Sequence, residues 1–535
     1  MTCRGCGVRS SYDGVVLGAG HNGLVLAGYL TRSGLHVLVV DRAEAGGGLT
    51  MEENPRLPGF LHNTHSFFHR AVTAMPWYRD LELERHGARY LEPELNVALL
   101  LPDGRALEWW TDLDRTADSF AEFSRKDAAA LRQWVEEFRP IVDQILIPEA
   151  QSPPVEPERR REMLERSDLG RRLLAVSRLS PLEFVAREFE HDVIRAGLLF
   201  FNGLREIDPR LPGFGHAIPA LLAGRHKAQM CVGGSARLAE ALVADIREHG
   251  GEVRTGVALR RILAPAGRVT GVELDDGEHI EARGFVASGL NPQQTFLELL
   301  EPGAATADVA GRARRYRYNL VAPLFALNVA LAEPPRYTAA RQRPELERAF
   351  MVILGLERFS QFEEIVAAHE RGEIPPTVMW GACPTLFDAS QAPPGRHTAF
   401  LWEKVPYALR GSAANWEAAQ AAQGEHMLEV WSRFAPNLKA GAVLDWFTRS
   451  PLDTERRLPN MRGGDLLVGS FDHGQVGYNR PFPGAGCYRT PVSGLYLCGG
   501  STHPGGNITG VCGYNAAQVI AADLGQARYP TWRRL

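Results

Sequence analysis

Long apolar runs, a second cysteine pair at metal-ligand spacing, internal repeats and a large excess of either charge are all missing from this 535-residue sequence. Without a run of about 18 apolar residues no segment reads as a membrane-spanning helix, and the first residues lack the apolar core of a secretory leader. A reducing, cytoplasmic setting is therefore expected. Cysteines number seven. Cys3 and Cys6 form a CxxC, but no second CxxC completes a zinc site and no βαβ pattern follows to make it redox-active. A flexible tail over 1–10 is the simpler expectation; the other five cysteines are scattered, so neither a disulfide framework nor a metal is expected. Lys and Arg total 59 against 63 Asp and Glu, a net charge of −4 that gives no reason to expect nucleic acid. The densest basic clusters, at 159–161 and 312–317, read as solvated faces. With 45% hydrophobic residues over this length, two or three domains can form without staples.

What is present sits at opposite ends of the chain. Gly18-Ala19-Gly20-His21-Asn22-Gly23 follows an apolar run at 15–17 and precedes a helix-like stretch at 24–32. That strand-turn-helix context is what a dinucleotide fingerprint requires. A pyrophosphate needs backbone N–H groups at close range and the positive end of a helix, and a side chain at any of the three glycines would block the turn, the phosphate or the helix packing. A second apolar strand, 37–40, ends at Asp41-Arg42, 23 residues after Gly18. A carboxylate there can accept from the ribose hydroxyls and disfavours a 2′-phosphate. An ordinary glycine-rich turn is the competing reading.

FAD rather than NAD is favoured by two further segments. Gly46-Gly47-Gly48-Leu49 lets backbone approach a second section of an extended cofactor. At the far end a buried strand at 494–498 breaks into Gly499-Gly500-Ser501-Thr502-His503-Pro504-Gly505-Gly506-Asn507-Ile508, with a helix starting near Thr509-Gly510. The dipole of that helix would stabilise negative charge on the pyrimidine edge of a reduced flavin. A glycine-rich hairpin is the plainer alternative.

On these residues the chain resembles the phytoene desaturase family of FAD-dependent oxidoreductases, over most of its length. Gly-His-Asn-Gly at 20–23 and the Thr-His-Pro-Gly-Gly run make it most similar to the branch of desaturase-type β-carotene ketolases and pyridine nucleotide-disulfide oxidoreductase domain-containing proteins. The resemblance implies an α/β fold: a discontinuous Rossmann-like FAD-binding domain (11–100, 228–300 and 465–527) with an inserted α+β substrate domain (101–227 and 301–464). It implies that Val257, on the return strand after Gly233-Gly234, holds adenine through its backbone. It also implies an apolar substrate of carotenoid or polyene type, desaturated or oxygenated, with oxygen or a quinone as electron acceptor. Two other functions stay open. One is an oxidase or dehydrogenase of a smaller specialised metabolite. The other is non-catalytic lipid binding, because the GDP-dissociation inhibitors of small GTPases share this architecture.

A flavin carries its own redox chemistry, so a catalytic dyad need not be visible. His62, His65 and His69 follow the glycine cluster, and His503 lies inside the terminal motif. His65 and His503 are the candidates for an acid, base or hydrogen-bond donor, against local packing as the alternative. Periodicity predicts helices over 112–144 and, from the capping box Ser180-Pro181-Leu182-Glu183, through Ile194. Strands are expected at 320–331 and 399–405. Trp109, Trp110, Phe200, Phe201 and Tyr478 are candidates to line an apolar tunnel. Apolar groups at 145–147, 198–201 and 221–222 are either core or a surface for peripheral membrane contact.

Overall fold

The computed structural model describes residues 11–201, 207–472, 474–526 and 529; the Cys3/Cys6 pair and the tail at 1–10 lie outside them. Two seven-stranded sheets organise the chain. The first runs in the order Glu252–Arg254, Val37–Val40, Ser11–Leu17, His279–Ser288, Gly271–Leu274 and Leu259–Leu263. Leu495–Leu497 also pairs with His279–Ser288. Its centre is parallel, and Val37 to Val40 are all buried, because helices cover a parallel sheet and leave no polar face. Strands from three distant segments thus make one sheet. Helices His21–Arg32, Ala236–Glu248 and Val511–Asp523 pack together in the same core. The first and last of these cross where Gly513 has no side chain: a Cβ there would lie 1.9 Å from the Asn22 carbonyl oxygen.

The second sheet is ordered Val443–Arg449, Leu324–Leu331, His397–Lys404, Met379–Ala382, Met351–Leu354, Leu95–Leu100 and Ala106–Trp110. Leu95–Leu100 pairs with both Met351–Leu354 and Ala106–Trp110, so the changeover between sheets falls before Leu95 rather than after residue 100. One face, including Phe400 and Trp402, packs against the helices between Leu113 and Ala223; the other packs against the helix Trp416–Phe434. Trp109 and Trp110 fall on opposite faces and cannot line one tunnel together.

The capping box forms, with Ser180 and Glu183 satisfying each other's backbone N–H. Its helix, Pro181–Glu188, nevertheless stops short of Ile194. The Asp127 carboxylate, fully buried, accepts the N–H groups of both Glu190 and His191 at 2.8 Å and turns the chain outward before Asp192–Phe201 begins. Leu198, Leu199, Phe200 and Leu222 are core. In this part of the chain the exposed large apolar groups among the described residues are Ile147, Val155 and Met163.

Glu403 gives this sheet a pH dependence. Its side chain is buried towards the helix Trp416–Phe434, with Gln423 Nε2 donating to Oε2 at 2.5 Å and Oε1 without a partner. Burial pushes its pKa from 4.5 up to about 8. A carboxyl raised in the folded state contributes stability that is complete below the unfolded value and is lost as pH rises through the folded one, at about 1.4 kcal/mol per pH unit. Glu403→Gln should flatten that decline between pH 4.5 and 8 and exceed the wild type above it. Urea midpoints across pH 5–9 decide the point; parallel curves for the two proteins would assign the titration elsewhere.

Candidate cofactor and active site

A cleft of about 670 Å³ opens where the central parallel strands end, with Leu17 and Val40 in its wall. This is the crevice at which doubly wound sheets bind ligands. Gly18, Gly20, His21, Asn22 and Gly23 line it. The three glycines act differently. Gly18 has φ +92°, a left-handed value that other residues rarely adopt. A Cβ on Gly23 would meet the Gly18 carbonyl oxygen at 2.3 Å. A Cβ on Gly20 would meet nothing within 4 Å, so its missing side chain leaves open space in the cradle. Gly20 also caps the helix His21–Arg32 without a side-chain hydrogen bond, leaving first-turn N–H groups for an anion.

Asp41 ties this turn to the next strand. Its Oδ2 accepts the Ala19 N–H at 2.7 Å and its Oδ1 the Ala43 N–H at 2.9 Å, while burial raises its pKa. Each oxygen keeps acceptor capacity for a ribose hydroxyl. Arg42, Gly47, Gly48 and Val257 continue the wall. The Val257 N–H already donates to the Asp41 carbonyl at 2.9 Å, so its backbone can offer an adenine only its carbonyl oxygen. Asp41→Ala should therefore loosen the turn and lose the ribose bonds together. Charge-assisted bonds contribute about 1.5–3 kcal/mol each, which is at least a tenfold fall in FAD affinity. Titrating flavin-stripped protein with FAD checks this; an unchanged affinity would remove Asp41 from the ribose.

The terminal motif returns to the same cleft. Gly500, Asn507 and Ile508 line it, and the His21 ring meets the Asn507 carbonyl at 3.0 Å. Burial lowers His21 to a pKa of about 4, so this ring is neutral and its Nε2–H donates. Ser501, Thr509 and Gly510 stand behind the wall. Ser501 is buried with its hydroxyl unpartnered, Trp77 Nε1 donates to the Thr509 carbonyl at 2.7 Å, and Gly510 is pressed onto the Trp77 ring. Ala19 and Leu49 are likewise fully buried behind it, Ala19 through its bond to Asp41 and Leu49 through core packing.

Neither candidate histidine reaches the cleft wall. Burial lowers both to a pKa of about 4 and makes them neutral. His503 Nε2 meets the Glu149 carbonyl at 3.0 Å, and Tyr488 donates to the His503 carbonyl, so this residue anchors the motif to the helical insert. His65 Nδ1 pairs with the Thr64 hydroxyl, leaving Nε2 unpartnered. It lies in the field of Glu52, whose carboxylate meets Arg449 at 2.6 Å and Arg457 at 3.2 Å.

Sequence reasoning missed two groups. Arg457, Leu458, Pro459, Asn460 and Met461 cross the cleft from the second half of the chain. Asn460 latches them down, accepting the Asn291 N–H at 2.6 Å and donating to the Gly289 carbonyl. Its only signal was a Pro-Asn turn. Arg480 is fully buried and donates to the carbonyls of Ser470 (2.8 Å), Gln475 (3.2 Å), Gly469 (3.1 Å) and Gly500 (2.9 Å). No pattern announces a guanidinium whose hydrogen-bond acceptors are all main chain and whose central carbon lies 4.4 Å from the centre of the Phe471 ring.

The Gly18–Gly23 turn at a helix start, Asp41 at the end of the next strand and a distant segment closing the same crevice fit the arrangement of a nucleotide-dependent oxidoreductase of the flavin type. A family model described as "NAD(P)-binding Rossmann-like domain" matches residues 16–81. One of the limonene dehydrogenase polypeptides of Castellaniella defragrans is 31% identical over 96% of this chain and 95% of its own length. Pyridine nucleotide-disulfide oxidoreductase domain-containing protein 2 of Rattus norvegicus is 30% identical over 97% and 95%. All-trans-zeta-carotene desaturase of Myxococcus xanthus is 24% identical over 97% and 95%. Cyclohexylamine oxidase from Brevibacterium oxydans shares the fold, with a TM-score of 0.59 at 16% identity over 96% of this chain and 100% of that one. The chain belongs to the phytoene desaturase-like family of FAD-dependent oxidoreductases.

Proposed function

We propose that the cleft holds FAD and that the chain oxidises an apolar, polyene- or terpenoid-type substrate, with oxygen or a quinone as the final acceptor. One observation carries this reading: Leu466 stands in the cleft wall and also packs against the aromatic core of the second sheet. Leu466 is thus an apolar contact between the cleft and that core, which supports the reading. The limonene and zeta-carotene named for two relatives are hydrocarbons, which supports the same class here.

Bound FAD would supply a hydride acceptor. The Gly18–Gly23 turn and the helix end behind it would hold the pyrophosphate, Asp41 the ribose, and the Val257 carbonyl the adenine amine. Phe68, Phe400 and Trp402, with ring centroids 4.6–6.1 Å apart, would orient the substrate and exclude water. His62, His65 and His69, all lowered by burial, serve as neutral hydrogen-bonding groups at physiological pH. No helix among the described residues is long and apolar enough to cross a membrane. We place peripheral membrane contact at the exposed Ile147, Val155 and Met163, beside the basic residues 159–161.

The test is the chromophore. Denaturing purified protein should release one FAD per chain, and anaerobic addition of polyenes in liposomes should bleach the flavin bands. Protein that carries no flavin, even after reconstitution, would falsify the proposal. Bleaching by small polar metabolites alone would establish the specialised-metabolite reading instead.

A further inference from the structure

Asn328 has no exposed surface, and neither its Oδ1 nor its Nδ2 has a hydrogen-bonding partner. It occupies the middle of Leu324–Leu331, opposite Phe400 on one neighbouring strand and Phe447 on the other. Strand alternation puts it on the sheet face that carries Ala326, Phe400 and Trp402 into the aromatic core. Leaving both ends of a buried amide unpaired is costly, and a leucine would fill the same space without that cost.

It is not alone. Two residues to either side of Phe400 on the same face, the Thr398 hydroxyl and the Trp402 indole N–H are also buried and unpartnered. His62 packs its ring edge-on against Phe447 at 5.1 Å, with Nε2 unpartnered. An ion-pair chain links the patch to the cofactor cleft. Arg449, two residues beyond Phe447, bonds Glu52, and Glu52 also pairs with Arg457 in the cleft wall. A buried aromatic face therefore carries a set of donors and acceptors without partners in the protein.

We infer that this patch is a subsite for a hydroxyl group on an otherwise apolar substrate, with Asn328 as the specificity-determining residue. The inference rests on the apolar-substrate reading above and narrows it. A hydroxyl both donates and accepts, so it satisfies Oδ1 and Nδ2 together; a carbonyl oxygen only accepts and would leave Oδ1 orphaned. A pure hydrocarbon would leave every polar atom of the patch unpaired. Sites built to hydrogen-bond a hydroxyl reject analogues lacking it far more strongly than apolar pockets reject a missing methylene.

The experiment compares all-trans-farnesol and geranylgeraniol with their deoxy hydrocarbons on flavin-loaded protein. Affinity is read from the melting-temperature shift and the perturbation of flavin absorbance. Wild type should favour each alcohol by at least tenfold. Asn328→Leu should bring the pair to near parity, keep hydrocarbon binding, and melt no lower than wild type without ligand. Trp402→Phe, which removes one donor and keeps the ring, should lower the preference by a smaller factor and serves as the reading should Asn328→Leu load flavin poorly. Unchanged alcohol-to-hydrocarbon ratios in both variants, or wild type without preference, would overturn the subsite while leaving the apolar-substrate reading intact. If neither member of a pair binds, both fall.

Discussion

Gly513→Ala should empty the protein of flavin and destabilise it by about 3 kcal/mol or more, the upper end of what overpacking costs. The added methyl would sit 1.9 Å from the Asn22 carbonyl, which is backbone and cannot swing aside like a flexible side chain. The two helices that cross there must separate. Asn22 also accepts the Gly513 N–H through its side chain at 3.4 Å, so the shift reaches the phosphate turn directly. The measurement is the flavin-to-protein absorbance ratio together with a urea denaturation curve. Ala517→Gly, on the same helix, is the control. It should cost about 1 kcal/mol through helix propensity, plus the loss of one buried methyl, and leave flavin in place. A Gly513→Ala protein with full flavin and near wild-type stability would refute the close-approach account.

Arg480→Met should have an effect of comparable size. Four carbonyls lose their donor at once, among them that of Gly500 in the cleft wall, and a buried network broken this way costs about 3–5 kcal/mol. Flavin retention should fall with stability, because Ser470, Gln475 and Gly500 are held in register by that one guanidinium. Arg480→Lys should recover only part, since an ammonium cannot match a planar fork with donors in several directions. Wild-type flavin content in Arg480→Met would show that these loops hold their shape without it.

The parts of this structure legible in sequence are those set by local pattern. Four consecutive aliphatic residues at 37–40 can be little other than a buried parallel strand, and the Ser180/Glu183 box announces its helix start. What needed distant partners was not legible. Leu95–Leu100 reads as a strand, yet nothing in its residues says which of two sheets it joins. The helix break after Glu188 is imposed by Asp127, more than sixty positions away. Histidines next to glycine-rich motifs invite a chemical reading, but His503 faces Glu149 because the helical insert, unpredictable in its docking, supplies the acceptor. The Asn328 patch is invisible in one dimension because its members lie on neighbouring strands.

A first sheet stitched from three distant segments also sets a timetable for biogenesis. Asn22 and Gly513 meet across 491 positions, and nearly every residue of the helix His21–Arg32 is buried in the finished fold, in part against the helix Val511–Asp523. On the ribosome, the opening strand can pair with Val37–Val40 early, but its greasy helix lacks one of its packing partners until residues 511–523 have been made. Contacts of such long range close slowly and leave apolar surface available for aggregation in the interval. The cleft, with Gly500, Asn507 and Ile508 in its wall, is complete only after the terminal motif has been made.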